Sequence, residues 1–255
     1  MGFETIRLET DSRGIASVTL DRPDKHHALN ETMMRELIAV ADRVETDRAI
    51  RAVVLRAEGK SFCAGGDLSW MREQAGLDRD GKMEGARLLA RMLQRLDALP
   101  VPLIARVQGN AFGGGLGMMA VADIVLVADH ARFALTETRL GLIPATIGPY
   151  VVRRIGEGHG RRIFLNAIPF GAADALRMGL AARMVAAGEL DQAVEDEVKA
   201  LLDCAPGAVA DAKRLVRMLA RAETDDPVGA SITALADRWE SDEAAERIAR
   251  FLAKA

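Results

Sequence analysis

The chain has 255 residues, 49% of them apolar, which suits one large domain or one domain with a small appendage. Its net charge of −3, with both signs mixed along the chain, excludes the basic stripe of a dedicated nucleic-acid binder. Two cysteines, Cys63 and Cys204, give neither a disulfide framework nor metal-ligand spacing, consistent with a reducing compartment. No signal-like segment precedes the first strand pattern. The longest apolar stretch, residues 116–128, contains Asp123 and is too short to span a bilayer, so a soluble, cytoplasmic protein is expected.

In chain order, Ile15-Ala16-Ser17-Val18-Thr19-Leu20 reads as a strand and Arg22-Pro23-Asp24 as a turn. Asn30 then caps a helix whose Met34, Leu37, Ile38, Ala41 and Val44 fall at helical spacing. Residues 51–57 form a short buried strand. A second amphipathic helix spans residues 82–99, with Leu88, Leu89, Met92, Leu93 and Leu96 inward and Pro100 and Pro102 stopping it. Residues 103–107 return to a strand, 116–122 to a helix, and 124–128 and 132–135 to strands.

Helices dominate from about residue 147. A short segment at 172–179 ends in Gly179, residues 181–185 form a last strand, and helices follow at 190–204, 208–222 and 227–253. Repeated strand–strand–helix units imply a spiral α/β core, residues 1–200, with a helical C-terminal region at 201–255. Ile232, Leu235, Trp239, Ile248, Phe251 and Leu252 give that tail an apolar surface that must cover its own core or dock on a neighbouring subunit.

Two glycine-rich segments each follow a strand-like run: Ser61-Phe62-Cys63-Ala64-Gly65-Gly66-Asp67-Leu68 and Gly109-Asn110-Ala111-Phe112-Gly113-Gly114-Gly115-Leu116-Gly117. Either alone reads as a tight turn demanded by packing. Together they are suited to bringing bare backbone close to a ligand and aiming two N–H groups at one oxygen. A dinucleotide fingerprint is excluded, because Met118 breaks the pattern and no acidic residue follows at the required distance.

Those segments occur in a longer ordered set. Arg22-Pro23 and Ala28-Leu29-Asn30 precede them, and Ala122-Asp123 and Phe133-Ala134-Leu135-Thr136-Glu137-Thr138-Arg139-Leu140-Gly141-Leu142-Ile143-Pro144 follow. Over its whole length the chain resembles the enoyl-CoA hydratase/isomerase (crotonase) superfamily. The resemblance implies an α/β fold, a crotonase-like ββα superhelix with a C-terminal helical trimerisation region, and assembly as a homotrimer or a hexamer of paired trimers. It also implies an acyl-CoA substrate whose thioester oxygen lies between the amides of Gly66 and Gly114. Each such donor is worth on the order of 3 kcal/mol toward an oxyanion. CoA enters as part of the substrate, and no metal or redox cofactor is implied.

By motif position Glu137 is the acid/base. A second glutamate, usual in hydratases of this family, is replaced by Gly117, which removes one acid/base group or lets a helix pack closely. Three activities remain open: a hydratase working with Glu137 alone and a wider pocket over Gly117, a Δ3,Δ2-enoyl-CoA isomerase, or a non-catalytic acyl-CoA binder. The segments Asp67-Leu68-Ser69-Trp70-Met71 and residues 142–152 are similar to bacterial methylglutaconyl-CoA and related branched glutaconyl-CoA hydratases, which favours the first. Arg72 or Arg139 would then receive a distal carboxylate, although either is an ordinary surface ion-pair residue.

The resemblance places Lys25, His26, His27 and Ala28 beside the pantetheine and nucleotide of CoA, with Ala64, Gly66, Asp67, Leu68 and Gly114 completing the substrate-binding set. Asp67 is expected to brace its loop, and Cys63 to be a small buried residue. Tyr150 is a secondary acid candidate near Glu137. His130 and His159 receive no role.

Overall fold

The computed structural model describes residues 2–253; residues 1, 254 and 255 and the side chain of Phe251, named above in the tail surface, lie outside the described residues. The chain begins with β1 (Ile6–Thr10), β2 (Ile15–Leu20) and α1 (Glu31–Thr46). Three strand–strand–helix turns follow: β3 (Ala52–Ala57) and β4 (Ser61–Cys63) lead to α2 (Leu68–Gly76) and α3 (Arg79–Asp97). Next, β5 (Leu103–Val107) and β6 (Asn110–Phe112) lead to α4 (Gly114–Val121), and β7 (Ile124–Ala128) and β8 (Arg132–Ala134) to α5 (Gly148–Asn166). The spiral closes with β9 (Phe170–Gly171), α6 (Ala172–Arg177), β10 (Arg183–Val185) and α7 (Leu190–Asp203). The tail is α8 (Pro206–Ala220), α9 (Pro227–Trp239) and α10 (Asp242–Leu252).

Each turn sends its first strand to a six-stranded sheet, ordered β1-β2-β3-β5-β7-β10, and its second to a four-stranded sheet, ordered β4-β6-β8-β9. Pairing is parallel except for β1 with β2 and β8 with β9. The large sheet is covered on both faces, so its strands are apolar on both, as parallel sheets require. Val18, Val53, Leu55, Leu103 and Val125 pack with Met33, Met34 and Leu37 of α1 and Met92 and Leu93 of α3. Ile15, Val54, Ile104 and Leu126 pack instead with Leu190, Ala193 and Val198 of α7. The strand-strand-helix spiral expected from the alternating pattern is the observed architecture.

Local chemistry sets the helix ends. The Asn30 side chain accepts from the Met33 N–H at 3.0 Å, the expected cap of α1. Besides the two- and three-residue strands β4, β6 and β9, two longer elements, β1 and α2, are not expected from the sequence. β1 alternates buried Ile6 with exposed neighbours, and α2 buries no residue, so neither shows an apolar run. The helix expected over residues 227–253 is two. Ser241 interrupts it, its Oγ accepting from the Ala244 N–H at 3.2 Å to start α10. α5 likewise bends at Gly156, where φ is +76°.

The boundary expected at 200/201 falls inside α7, where Leu201 and Leu202 still pack on the large sheet. Beyond it, α8 is tied to the spiral by charge. Lys213 Nζ reaches Asp123 at 2.7 Å and the Val101 carbonyl at 2.9 Å. One turn on, Asp97 of α3 is enclosed by Arg153 of α5 at 2.7 Å, by Arg217 at 3.6 Å and by Arg221. No described helix is long and apolar enough to cross a membrane.

Candidate active site

Three consecutive strands of the small sheet end at one place. β4, β6 and β8 are adjacent and parallel, so their C-terminal ends lie side by side, roughly 5 Å apart from strand to strand. Gly65 and Gly66 follow β4, Gly113 and Gly114 follow β6, and Thr136 and Glu137 follow β8. The sheet topology itself therefore assembles residues more than 70 positions apart in the chain.

Gly65 (φ +94°) and Gly113 (φ +45°) adopt left-handed backbone that side chains disfavour. A Cβ at Gly65 would lie 3.3 Å from the Phe112 carbonyl, and one at Gly113 would lie 3.7 Å from Gly65 Cα and 3.0 Å from Glu137 Oε1. The two turns thus touch backbone to backbone with the Glu137 carboxylate against them. Gly114 opens α4, so its N–H has no helical partner. Among the described residues, neither the Gly66 N–H nor the Gly114 N–H donates to any acceptor.

Loop 26–29 aligns the first turn. Leu29 N–H donates to Gly65 O at 2.7 Å, Asp67 N–H to Leu29 O at 2.9 Å, and Ala64 N–H to His26 O at 2.9 Å. Arg22 spans both segments, donating to Ala28 O at 2.6 Å and Asp67 Oδ2 at 2.9 Å. Asp67 caps α2 through the Ser69 N–H at 2.8 Å. Burial alone would raise the Asp67 carboxyl. Arg22 and the capping N–H groups outweigh it and hold the group below the usual carboxylate range. Asp67 therefore ties Arg22 to the N-terminus of α2.

Glu137 is the opposite case. Its Oε2 is buried without a hydrogen-bond partner among the described residues. Desolvation raises its pKa, and weak backbone interactions at Glu137 and Thr136 only partly offset this. A carboxylate held this way is poised to take and return protons.

The structure changes several sequence expectations. Gly117 leaves no room: a Cβ there would lie 2.6 Å from Ile147 Cγ2 and 3.4 Å from Leu93 Cδ2. The wider pocket expected over Gly117 is therefore absent, and the buried Ile147 fills that side. His27 does not offer a cation. Its ring is fully buried, its Nδ1 accepting from the Arg22 N–H at 3.0 Å and its Nε2–H donating to Glu58 O at 2.6 Å. Burial lowers its pKa, so the ring is neutral and holds the loop. Lys25 and His26 are exposed, with His26 Nδ1 3.1 Å from Ser61 Oγ.

Tyr150 lies over Arg153, 5.3 Å from its guanidinium, in the Asp97 cluster. Arg139 donates to Ala167 O at 2.8 Å, which engages one end of that side chain. Cys63 is fully buried, and desolvation pushes its thiol up to about 12, which leaves it an inert packing residue. Ala64 and Leu68 face solvent at the mouth of the first turn, and Ala28 is buried behind it.

The wall residues were not legible as such. Leu29 Cδ1 lies 2.5 Å from where a Gly114 Cβ would stand, and Met71 Sδ and Trp70 Cζ3 lie 3.3 and 3.9 Å from a Gly66 Cβ. α2 turns Trp70 and Met71 back toward the glycines, and with no residue of that helix buried no apolar period marks them in the sequence. Among the described residues, no group of three or more His, Cys, Asp or Glu side chains is placed to hold a metal.

A ββα spiral in which two bare glycine turns and a desolvated glutamate converge defines the crotonase class. The family model described as enoyl-CoA hydratase/isomerase matches residues 10–255, and the chain belongs to that family. It is 29% identical over 256 residues to the short-chain-enoyl-CoA hydratase of Clostridium acetobutylicum, covering 100% of this chain and 97% of that one. It is similar to the solved enoyl-CoA hydratase of Shewanella pealeana, at 36% identity and a TM-score of 0.95, covering 99% of this chain and 94% of that one. The enoyl-CoA hydratase of Mycobacterium smegmatis superposes with a TM-score of 0.93 at 32% identity, over 98% and 97% of the two chains.

Proposed function

We propose that the protein is an enzyme that adds water across the double bond of a 2-enoyl-CoA thioester. The observation that carries this reading is the buried, unpartnered Glu137 Oε2 beside two unengaged glycine amides. The thioester oxygen accepts from the Gly66 and Gly114 N–H groups. The Glu137 carboxylate takes a proton from water as its oxygen bonds to the β-carbon, and the electron pair of the double bond moves onto the thioester as an enolate. The Glu137 carboxyl then returns a proton to the α-carbon, so the product gains one H and one OH. Each amide strengthens its bond as charge develops on the oxygen, which lowers the barrier rather than merely binding substrate.

One carboxylate performs both transfers, because Ile147 occupies the side where a second would stand. The same single base fits a Δ3,Δ2-enoyl-CoA isomerase, which would move a proton between carbons with no net addition. A catalytically silent binder would retain the amides and not need a desolvated glutamate. The finer substrate reading, a branched glutaconyl-type acyl chain, rests on residues 67–71 and 142–152 and no longer on space at Gly117. Lys25 and His26 are assigned to the CoA phosphates, Ala28, Ala64 and Leu68 to the walls of the CoA path, and Asp67 and His27 to holding it. Charge stabilisation and proton transfer are both supplied by the chain, so no cofactor beyond the substrate's own CoA is invoked.

We further assign the spiral to residues up to Asp203 and the helical region to Cys204 onward, in a cytoplasmic homotrimer or hexamer. Exposed Leu140, Leu142, Ile143, Leu165 and Ile168 supply apolar surface for that assembly. The test is loss of the conjugated thioester absorbance on adding a 2-enoyl-CoA. Wild type should show it and Glu137→Gln should not. Gain of conjugation from a 3-enoyl-CoA would replace hydratase by isomerase, and binding of CoA esters with neither change would leave a binder.

A further inference from the structure

Beside the glycine turns lies a groove of about 520 Å³ bounded by α1, α2 and α3. Trp70 belongs to both places. Its Cζ3 stands 3.9 Å from the Gly66 Cβ position, and its ring also lines the groove with Leu77 and Leu88. A chain leaving the oxyanion-binding amides past Trp70 therefore enters a groove of mixed lining, in which Leu77 and Leu88 supply the apolar part. α2 comes close to α3 there because Gly85 has no side chain, and Gln74 occupies the space a Cβ would need.

The polar part of the groove is unbalanced. Arg35 is paired with Glu31 at 2.6 Å on α1, and Arg87 is paired with Glu84 on α3. Arg91, also lining the groove, has no acidic partner among the described residues. It stands two turns beyond Glu84 on the same face of α3, roughly 10 Å along the axis. The groove thus carries one uncompensated cation, on a lining that also holds the apolar Trp70, Leu77 and Leu88. Arg139, the other guanidinium considered for this task, is engaged at Ala167 O, and Arg72 is not part of the groove.

We propose that this groove receives the far end of the acyl chain and that Arg91 pairs there with a terminal carboxylate. The substrate class is then a 2-enoyl-CoA carrying a second acid group. Trp70, Leu77 and Leu88 take the methylenes, and the Arg91 fork takes the carboxylate in a charge-assisted pair. The inference rests on the acyl-CoA reading of the glycine site, and it narrows the glutaconyl-type reading to a location.

The experiment compares hex-2-enedioyl-CoA with hex-2-enoyl-CoA in wild type, Arg91→Ala, Arg91→Glu and Arg91→Lys. Wild type favours the diacid in kcat/KM. Arg91→Ala lowers that preference by about tenfold, Arg91→Glu lowers it further, and Arg91→Lys retains part of it, with the change falling on KM. Arg91 is exposed, so all three variants should melt with wild type. A diacid preference unchanged in Arg91→Ala, or absent in wild type, overturns the proposal. Binding of adipyl-CoA and hexanoyl-CoA to the Glu137→Gln protein, with and without Arg91→Ala, separates it from the hydratase reading. Tighter, Arg91-dependent binding of adipyl-CoA without any hydration by wild type would sink the hydratase and keep the groove. Hydration with equal binding of the two esters would do the reverse, and no binding of either would sink both.

Discussion

The apolar residues of β3 and β5 are all at most 5% exposed, enclosed between α1, α3 and α7. In α8 and α9, by contrast, no residue is buried, and Val228, Ile232, Leu235 and Trp239 are 60–69% exposed. Yet α8 is held to the spiral, by Lys213 on Asp123 and by Arg217 and Arg221 on Asp97. The spiral is finished by packing, while the tail is latched by charge with its apolar side still free. A site needing sub-ångström placement belongs in the first region, and surface for assembly in the second.

Glu137 gives the largest expected effect and tests whether chemistry resides wholly in the spiral. Glu137→Gln keeps shape and removes the base, so kcat for hydration should fall by roughly 10³-fold. Steady-state loss of enoyl absorbance measures it. Retention of most activity would mean that a group outside the three strand ends, such as one from the tail of another subunit, carries the proton.

Next comes the latch. Asp97 has only 7% of its side chain exposed and faces three guanidinium groups. Asp97→Ala would leave those charges facing one another, at about 3 kcal/mol of stability. Denaturant unfolding should show that loss, and limited proteolysis should cut first between α7 and α8. If cleavage instead begins inside the spiral, the division between packed and latched regions fails.

The pH dependence of stability sharpens the contrast within the spiral. Glu137 is raised by burial from 4.5, so its ionisation opposes folding. Its contribution is fully present below the unfolded-state pKa and is lost as pH rises through the folded one. Glu137→Gln should therefore melt above wild type at pH 8, by on the order of 2 °C, with the difference gone near pH 4. Asp67, lowered by Arg22 and its caps despite burial, has the opposite sign. Asp67→Asn should cost stability at pH 7, and less as pH falls through the lowered folded-state value. Hydration itself should lose rate on the acid side at a pH above 4.5, as Glu137 protonates.

These groups also show what could be read before the fold was known. Ile15–Leu20, the Asn30 cap and the helix carrying Leu88 to Leu96 were legible because periodicity and capping are local. The spiral followed from the alternation of such elements, and the glycine turns from their composition. Strands β4, β6 and β9, of two or three residues each, are too short for any period, although they form the sheet that gathers the site. Gly117 shows the same limit at one residue. A missing side chain reads as space in a sequence, but whether space remains depends on Ile147, 30 positions away. The ring of His27 shows a related limit: its partners Arg22 and Glu58 meet it only when the loop closes.

The smallest expected change in stability has the most to say about the tail. Val228, Ile232, Leu235 and Trp239 recur every three or four residues, so they form one stripe along α9. Asp at Ile232 would sit in that stripe, 64% exposed in the single chain, and should shift subunit stability by no more than about 0.5 kcal/mol. If the stripe meets another subunit, the same Ile232→Asp change buries a charge at an apolar contact. The assembly should then dissociate in sedimentation velocity while the monomer's unfolding midpoint stays put. An intact oligomer would place the contact on Leu140, Ile143 and Leu165 of the spiral instead. Oligomer and monomer stability lost together would mean that α9 packs on its own chain, and that the tail is held by burial after all.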